Sequence, residues 1–162
     1  MAVPSHNNGD SGPVATPRPS VKWLVSTGVP MHMTPTESVL QNKRVLPAPI
    51  SLRQVYGSII SGSLVGDVTI SHRITLKDVV YIPDLRESFL SVGSLMNQIP
   101  NVGVVFDSAG CTFTDFATGE TLAIAHPDER GLCLLDMVDF QSHYSEALPM
   151  TMSNVLAPCY DG

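Results

Sequence analysis

The residues with the clearest chemical potential form one short run, Trp23-Leu24-Val25-Ser26-Thr27-Gly28, followed by Val29-Pro30 and His32-Met33-Thr34. Apolar residues lead into two hydroxyl side chains and a glycine, the pattern of a strand that ends in a tight turn. As a nucleophile, Ser26 needs a histidine base and a group that orients that base. His32, His72 and His126 are present, but no Gly-x-Ser-x-Gly surrounds Ser26 and the spacing assembles no triad. A serine hydrolase is therefore disfavoured, and His32 reads as a structural hydrogen-bonding residue beside the turn. Cys111, Cys133 and Cys159 are widely spaced and form no CxxC pair, which argues against a zinc ribbon, a redox site or a disulfide framework. Idle thiols in a reducing compartment are the simpler reading. The run from Gly57 through Gly62 to Gly66 lacks the Gly-Lys-Ser/Thr closure of a phosphate loop. Neither a cofactor nor a metal is expected.

Such residues need a scaffold to hold them, and the 162-residue chain can supply one domain with ragged ends. Hydrophobic residues make up 43 % and charged residues 15 %, the composition of a folded chain. The net charge of −6 disfavours a phosphate-binding surface, so no nucleic acid is expected to bind directly. Residues 1–20 carry Pro4, Pro13, Pro17 and Pro19 among Ser, Asn and Gly, and are expected to form a disordered linker. No secretory signal or membrane-length apolar run is present, so an intracellular, cytoplasmic, membrane-free setting is the expectation. Strands are predicted over residues 21–25, 51–55, 58–61, 66–71, 73–81, 103–107, 112–115, 121–126 and 132–135, with one short helix over 91–97. Short strands with almost no helix argue for an all-β sandwich or small barrel over residues 21–138, followed by a poorly structured tail over 139–162.

Three blocks carry a family resemblance. In the first, Trp23 stands three residues before Ser26, Thr27-Gly28 follow, and His32-Met33-Thr34 come four residues beyond the glycine. The second runs Leu76-Lys77-Asp78-Val79-Val80-Tyr81-Ile82-Pro83, then Leu85, then Leu90-Ser91-Val92 and Leu95. The third comprises Val104-Val105-Phe106, Cys111-Thr112-Phe113-Thr114-Asp115, Thr118-Gly119 and Gly131-Leu132-Cys133-Leu134-Leu135. In this order and spacing they resemble the aspartic protease domain of Copia-type retrotransposon Pol polyproteins, over about residues 21–135. The resemblance implies a small retropepsin-like β-barrel in which the run 57–66 is a flap hairpin, with Ile60, Gly62, Leu64 and Gly66 facing a substrate cleft. Trp23 and His32 become structural motif residues. The implied partners are a second copy of the chain, forming a homodimer, and an extended peptide or polyprotein segment.

The departure from the family is Ser26, which occupies the place of the catalytic aspartate, with Thr27 and Gly28 completing the triplet. Aspartic proteases need two carboxylates that share a proton, one acting on water and one on the carbonyl. A serine hydroxyl has no usable pKa near neutrality and cannot replace either. Asp10-Ser11-Gly12 has no strand to hold it, and Asp107-Ser108-Ala109-Gly110 reads as a hairpin turn. The zinc motif of integrase-like tails also fails, because His143 and Cys159 stand alone. The expectation is a retrotransposon-derived domain without proteolysis, kept as a peptide-binding or dimerisation scaffold or as a transposon remnant. The alternative is an active aspartic endopeptidase that processes a Pol polyprotein as a homodimer.

Overall fold

The computed structural model describes residues 20–137. Residues 1–19 of the linker expected over 1–20, Asp10-Ser11-Gly12 among them, and residues 138–162, with His143 and Cys159, lie outside the described residues. Ten strands and one α-helix follow in order, with a single 3-10 turn at Glu37–Val39 between the second and third strands: β1 Lys22–Ser26, β2 Met33–Thr34, β3 Gln41–Arg53, β4 Ile59–Ser71, β5 Ile74–Tyr81, β6 Ser88–Ser91, α1 Val92–Gln98, β7 Val102–Asp107, β8 Gly110–Asp115, β9 Glu120–Pro127 and β10 Cys133–Asp136. The domain is all-β with one short helix, as the strand-rich sequence implies.

All ten strands belong to one sheet, ordered β3-β4-β5-β2-β6-β1-β10-β9-β8-β7. Its centre is mixed: β1 runs parallel to β6 and β2 parallel to β5, whereas β2 and β6 are antiparallel. Each flank is an antiparallel meander. The sheet curls, because Val68, Ile70, Ile74 and Leu76 of one flank share a core with Cys111, Phe113 and Ala125 of the other. Fully buried side chains of the size of Leu76 and Phe113 contribute about 1.5–3 kcal/mol each. β3 and β7, at the two ends of the order, are not paired with each other, so hydrogen bonds do not close the curl.

A second, smaller cluster of Met33, Ile60, Val65, Val80 and Ile82 lies beneath the β3–β4 hairpin. One strand serves both clusters because successive side chains of β4 point to opposite faces: Val65 joins the small cluster, while Leu64, Val68 and Ile70 face the large one. The register shift between Gly66 and Val68 places its extra residue on β5, where Asp78 has φ 54°.

The sequence divides β4 into strands at 58–61 and 66–71, with Gly62 and Gly66 as punctuation. Both glycines instead lie inside a continuous strand where another backbone comes close. A Cβ on Gly62 would sit 2.0 Å from the Tyr81 carbonyl oxygen, and one on Gly66 would sit 2.6 Å from that of Gln41. β3 is far longer than the predicted 51–55. It is an outer strand, mostly exposed, and tolerates Pro47 and Pro49 where a central strand would not. β2 and β6 are too short for any periodicity to reveal them.

Gly62→Ala is expected to destabilise the domain by about 1–3 kcal/mol, the range for forced overpacking. Gly93→Ala, in open space on α1, should stabilise it by about 0.5–1 kcal/mol. Urea denaturation followed by Trp23, the one tryptophan and a fully buried one, checks both signs.

Candidate functional site

The Ser26-Thr27-Gly28 turn follows directly from β1 and is held from two sides. Ser26 Oγ accepts a 3.1 Å hydrogen bond from the Gly28 N–H, which closes the turn locally. Ser26 lies opposite Ser91 in the parallel β1–β6 register, at the start of α1. From there Ser91 Oγ donates to the Val29 carbonyl at 2.8 Å and accepts from the Ser94 N–H at 3.2 Å, capping the helix. Ser94 Oγ donates to the Pro30 carbonyl at 3.0 Å. Thr27 and Gly28 stay exposed.

The His-Met-Thr run has a local physical account. Met33 and Thr34 form β2, wedged between β5 and β6, while the His32 and Thr34 carbonyls accept from the Val80 and Ile82 N–H groups. Met33 enters the small apolar cluster, and the Thr34 hydroxyl lies 2.8 Å from that of Ser88. His32 is 1 % exposed, and its Nδ1 accepts a 3.0 Å bond from the Ser91 N–H. That bond places the proton of the neutral ring on Nε2, which is buried and makes no well-formed hydrogen bond. Burial pushes its pKa down from 6.5 to about 4, with the nearby Gln98 side chain opposing part of the shift. Trp23 is fully buried in the large core, its Nε1–H without a partner among the described residues.

These bonds leave no nucleophile assembled. Ser26 Oγ is engaged with the Gly28 N–H and His32 Nδ1 with the Ser91 N–H, so neither is directed at the other. His72 and His126 line a separate depression beside Asp136. Asp107 caps the β7–β8 turn by accepting from the Ala109 N–H at 2.7 Å. Cys111 is buried, and desolvation, with Cys133 and Asp107 adding to it, pushes its thiol up to about 12, which makes it inert near neutrality. Among the described residues no group of His, Cys, Asp and Glu could hold a metal ion, and no helix is long and apolar enough to cross a membrane.

What the fold does build beside the turn is a groove of about 600 Å³. Gly28, Val29 and Pro30 form one wall, and the β3–β4 hairpin from Leu52 to Tyr56 forms the facing wall. Met33, Ile60, Leu85 and Phe89 supply apolar surface between them. The hairpin turns through Gly57, at φ 87°, and leaves Val55 and Tyr56 almost wholly exposed at its tip. Of the residues assigned to the cleft by resemblance, Ile60 lines this groove. Gly62 and Gly66 serve close backbone approaches within β4, and Leu64 packs toward the large core. The sequence reading missed Ser91 and Ser94 as the clamps on the turn. The Ser-x-x-Ser spacing at a helix start was the available signal. It also missed Arg53 and Arg86, which line the groove.

The depressed pKa of His32 makes a pH prediction. The unfolded chain takes up a proton near pH 6.5 that the folded chain refuses until about pH 4. Stability is therefore full above pH 6.5 and falls progressively toward pH 4, by up to about 3 kcal/mol. Between pH 6.5 and 5, above the usual carboxylate range, His32→Gln should flatten the decline measured by urea denaturation. An unchanged slope in the variant would assign the proton uptake elsewhere.

No curated protein and no solved structure matches the chain. Residues 23–99, from β1 through α1, match the model of a family described as Pol polyprotein, beta-barrel domain. That match supports a retrotransposon Pol polyprotein region over the part of the chain that builds the turn, the hairpin and the groove.

Proposed function

We propose that this chain is a Copia-type, retropepsin-like domain that has lost proteolysis and holds extended peptide segments in the groove beneath its hairpin. The observation that carries the reading is the composition of the groove. It joins the Ser26-Thr27-Gly28 turn to the hairpin tip, yet no Asp or Glu is among the residues that line it. Peptide hydrolysis by an aspartic mechanism needs two carboxylates at the place where Ser26 stands. Peptide binding needs only apolar pockets and main-chain partners. The exposed Val55 and Tyr56 at the tip add apolar surface that a bound segment would cover.

A dimerisation role has support of its own. The Met137 N–H donates to the Val21 carbonyl at 3.1 Å, and Lys22 pairs with Asp136, so the two ends of the described chain leave the sheet side by side. Two adjacent ends offer a second copy a compact surface for pairing.

A peptide-library cleavage assay at acidic and neutral pH, run on this chain and on Ser26→Asp, tests the reading. The native chain should be silent, because loss of the dyad removes several orders of magnitude in rate. Ser26→Asp should gain pepstatin-sensitive cleavage. Cleavage by the native chain would contradict the loss of proteolysis, and silence of Ser26→Asp would remove the retropepsin-like part of the reading.

A further inference from the structure

Cations in this acidic domain are otherwise paired. Lys22, Lys43, Arg44, Arg73, Lys77 and Arg130 each place a nitrogen within 4.0 Å of a carboxylate oxygen. Among the described residues the two that form no such pair are Arg53 and Arg86. Both line the groove beneath the hairpin, although they are 33 positions apart in the sequence (86 − 53 = 33). Arg53 ends β3 at the base of the hairpin tip, and Arg86 follows Leu85 on the opposite side, at a rim it shares with a neighbouring depression. Between them lies the apolar surface of Met33, Ile60 and Phe89.

Two guanidinium groups without an ion-pair partner among the described residues line the groove, and no carboxylate does, within a chain of net charge −6. Arginine presents a planar fork of donors that matches a carboxylate in bidentate geometry. An exposed arginine without a partner is unremarkable by itself. Two that converge on one apolar groove, while every other described cation is paired, supply a complementarity that selects a ligand.

We infer that the groove selects extended peptides whose apolar centre is flanked by acidic side chains, with Arg53 and Arg86 as the specificity-determining residues. The inference rests on the peptide-binding reading above and adds the class of segment held. The apolar centre covers Ile60, Phe89 and the hairpin tip, while carboxylates on either side reach the two guanidinium groups. Both arginines are exposed, so the attraction is partly screened and falls with added salt. Neither arginine is a partner in the hydrogen bonds of the turn, so both can be replaced without disturbing the site's framework.

The test uses fluorescence anisotropy with two pools of labelled extended peptides that share a valine- and threonine-rich centre, flanked by glutamate in one pool and glutamine in the other. Binding is measured on the full chain and on the double variant Arg53→Gln/Arg86→Gln, with Trp23 fluorescence confirming that both are folded. The glutamate pool should bind roughly three- to thirtyfold tighter to the native chain, the range two partly solvated charge pairs supply. That advantage should vanish in the double variant, which should bind the two pools alike. Equal affinity of the native chain for both pools would overturn the acidic preference and leave the peptide groove standing. A preference that survives the double substitution would remove the two arginines from the account. Failure of both pools to bind would overturn the peptide-binding reading itself.

Discussion

The hydroxyl of Ser91 holds together segments that are far apart in sequence. It donates to the Val29 carbonyl and accepts from the Ser94 N–H, while the backbone N–H of the same residue reaches His32 Nδ1. A hydroxyl has one proton and two lone pairs, so it can serve a carbonyl and an N–H at once. Alanine in its place would leave both backbone groups without that partner in a partly buried setting, where each orphaned group costs about 1–3 kcal/mol. Because Val29 and Pro30 form a wall of the groove, the shape of the groove depends on this clamp.

The same junction explains why a buried histidine is tolerated. Neutral imidazole can accept at one nitrogen, and the Ser91 N–H supplies a donor at the N-terminus of α1, where backbone N–H groups lack helical partners. A protonated ring would meet that donor with a second proton, and the cost of burying the charge adds to the mismatch. His32 is thus a positioning residue for the turn. Its place is secured in turn by β2, whose two residues bridge β5 and β6 at the centre of the sheet.

Much of this architecture was legible in the chain. Trp23 and the apolar residues after it announce β1, and the alternation of Ile74 and Leu76 announces β5. The Ser91 helix start and the Asp107 turn could also be read from local chemistry. What was not legible depends on tertiary approach. Gly62 and Gly66 look like turn residues because glycine has the same signature at a turn and at a close crossing of backbones. β3 hides because an exposed outer strand with two prolines lacks both alternation and β-propensity. The groove's charge was invisible for a different reason. Arg53 and Arg86 differ from the other lysines and arginines among the described residues only in forming no ion pair, and pairing across strands is fixed by register. The absence of a carboxylate at Ser26, by contrast, is read directly from the chain, because it is a property of the residue itself.

The central claim is that the groove between the Ser26-Thr27-Gly28 turn and the β3–β4 hairpin is where this domain meets extended peptide. Amide chemical-shift mapping on the isotopically labelled chain, during titration with an extended apolar peptide, tests it most directly. The account predicts shifts confined to Gly28, Val29, the tip around Val55 and Tyr56, and Phe89, with β7, β8 and β9 undisturbed. Shifts centred on β7–β9, or none at saturating peptide, would contradict it.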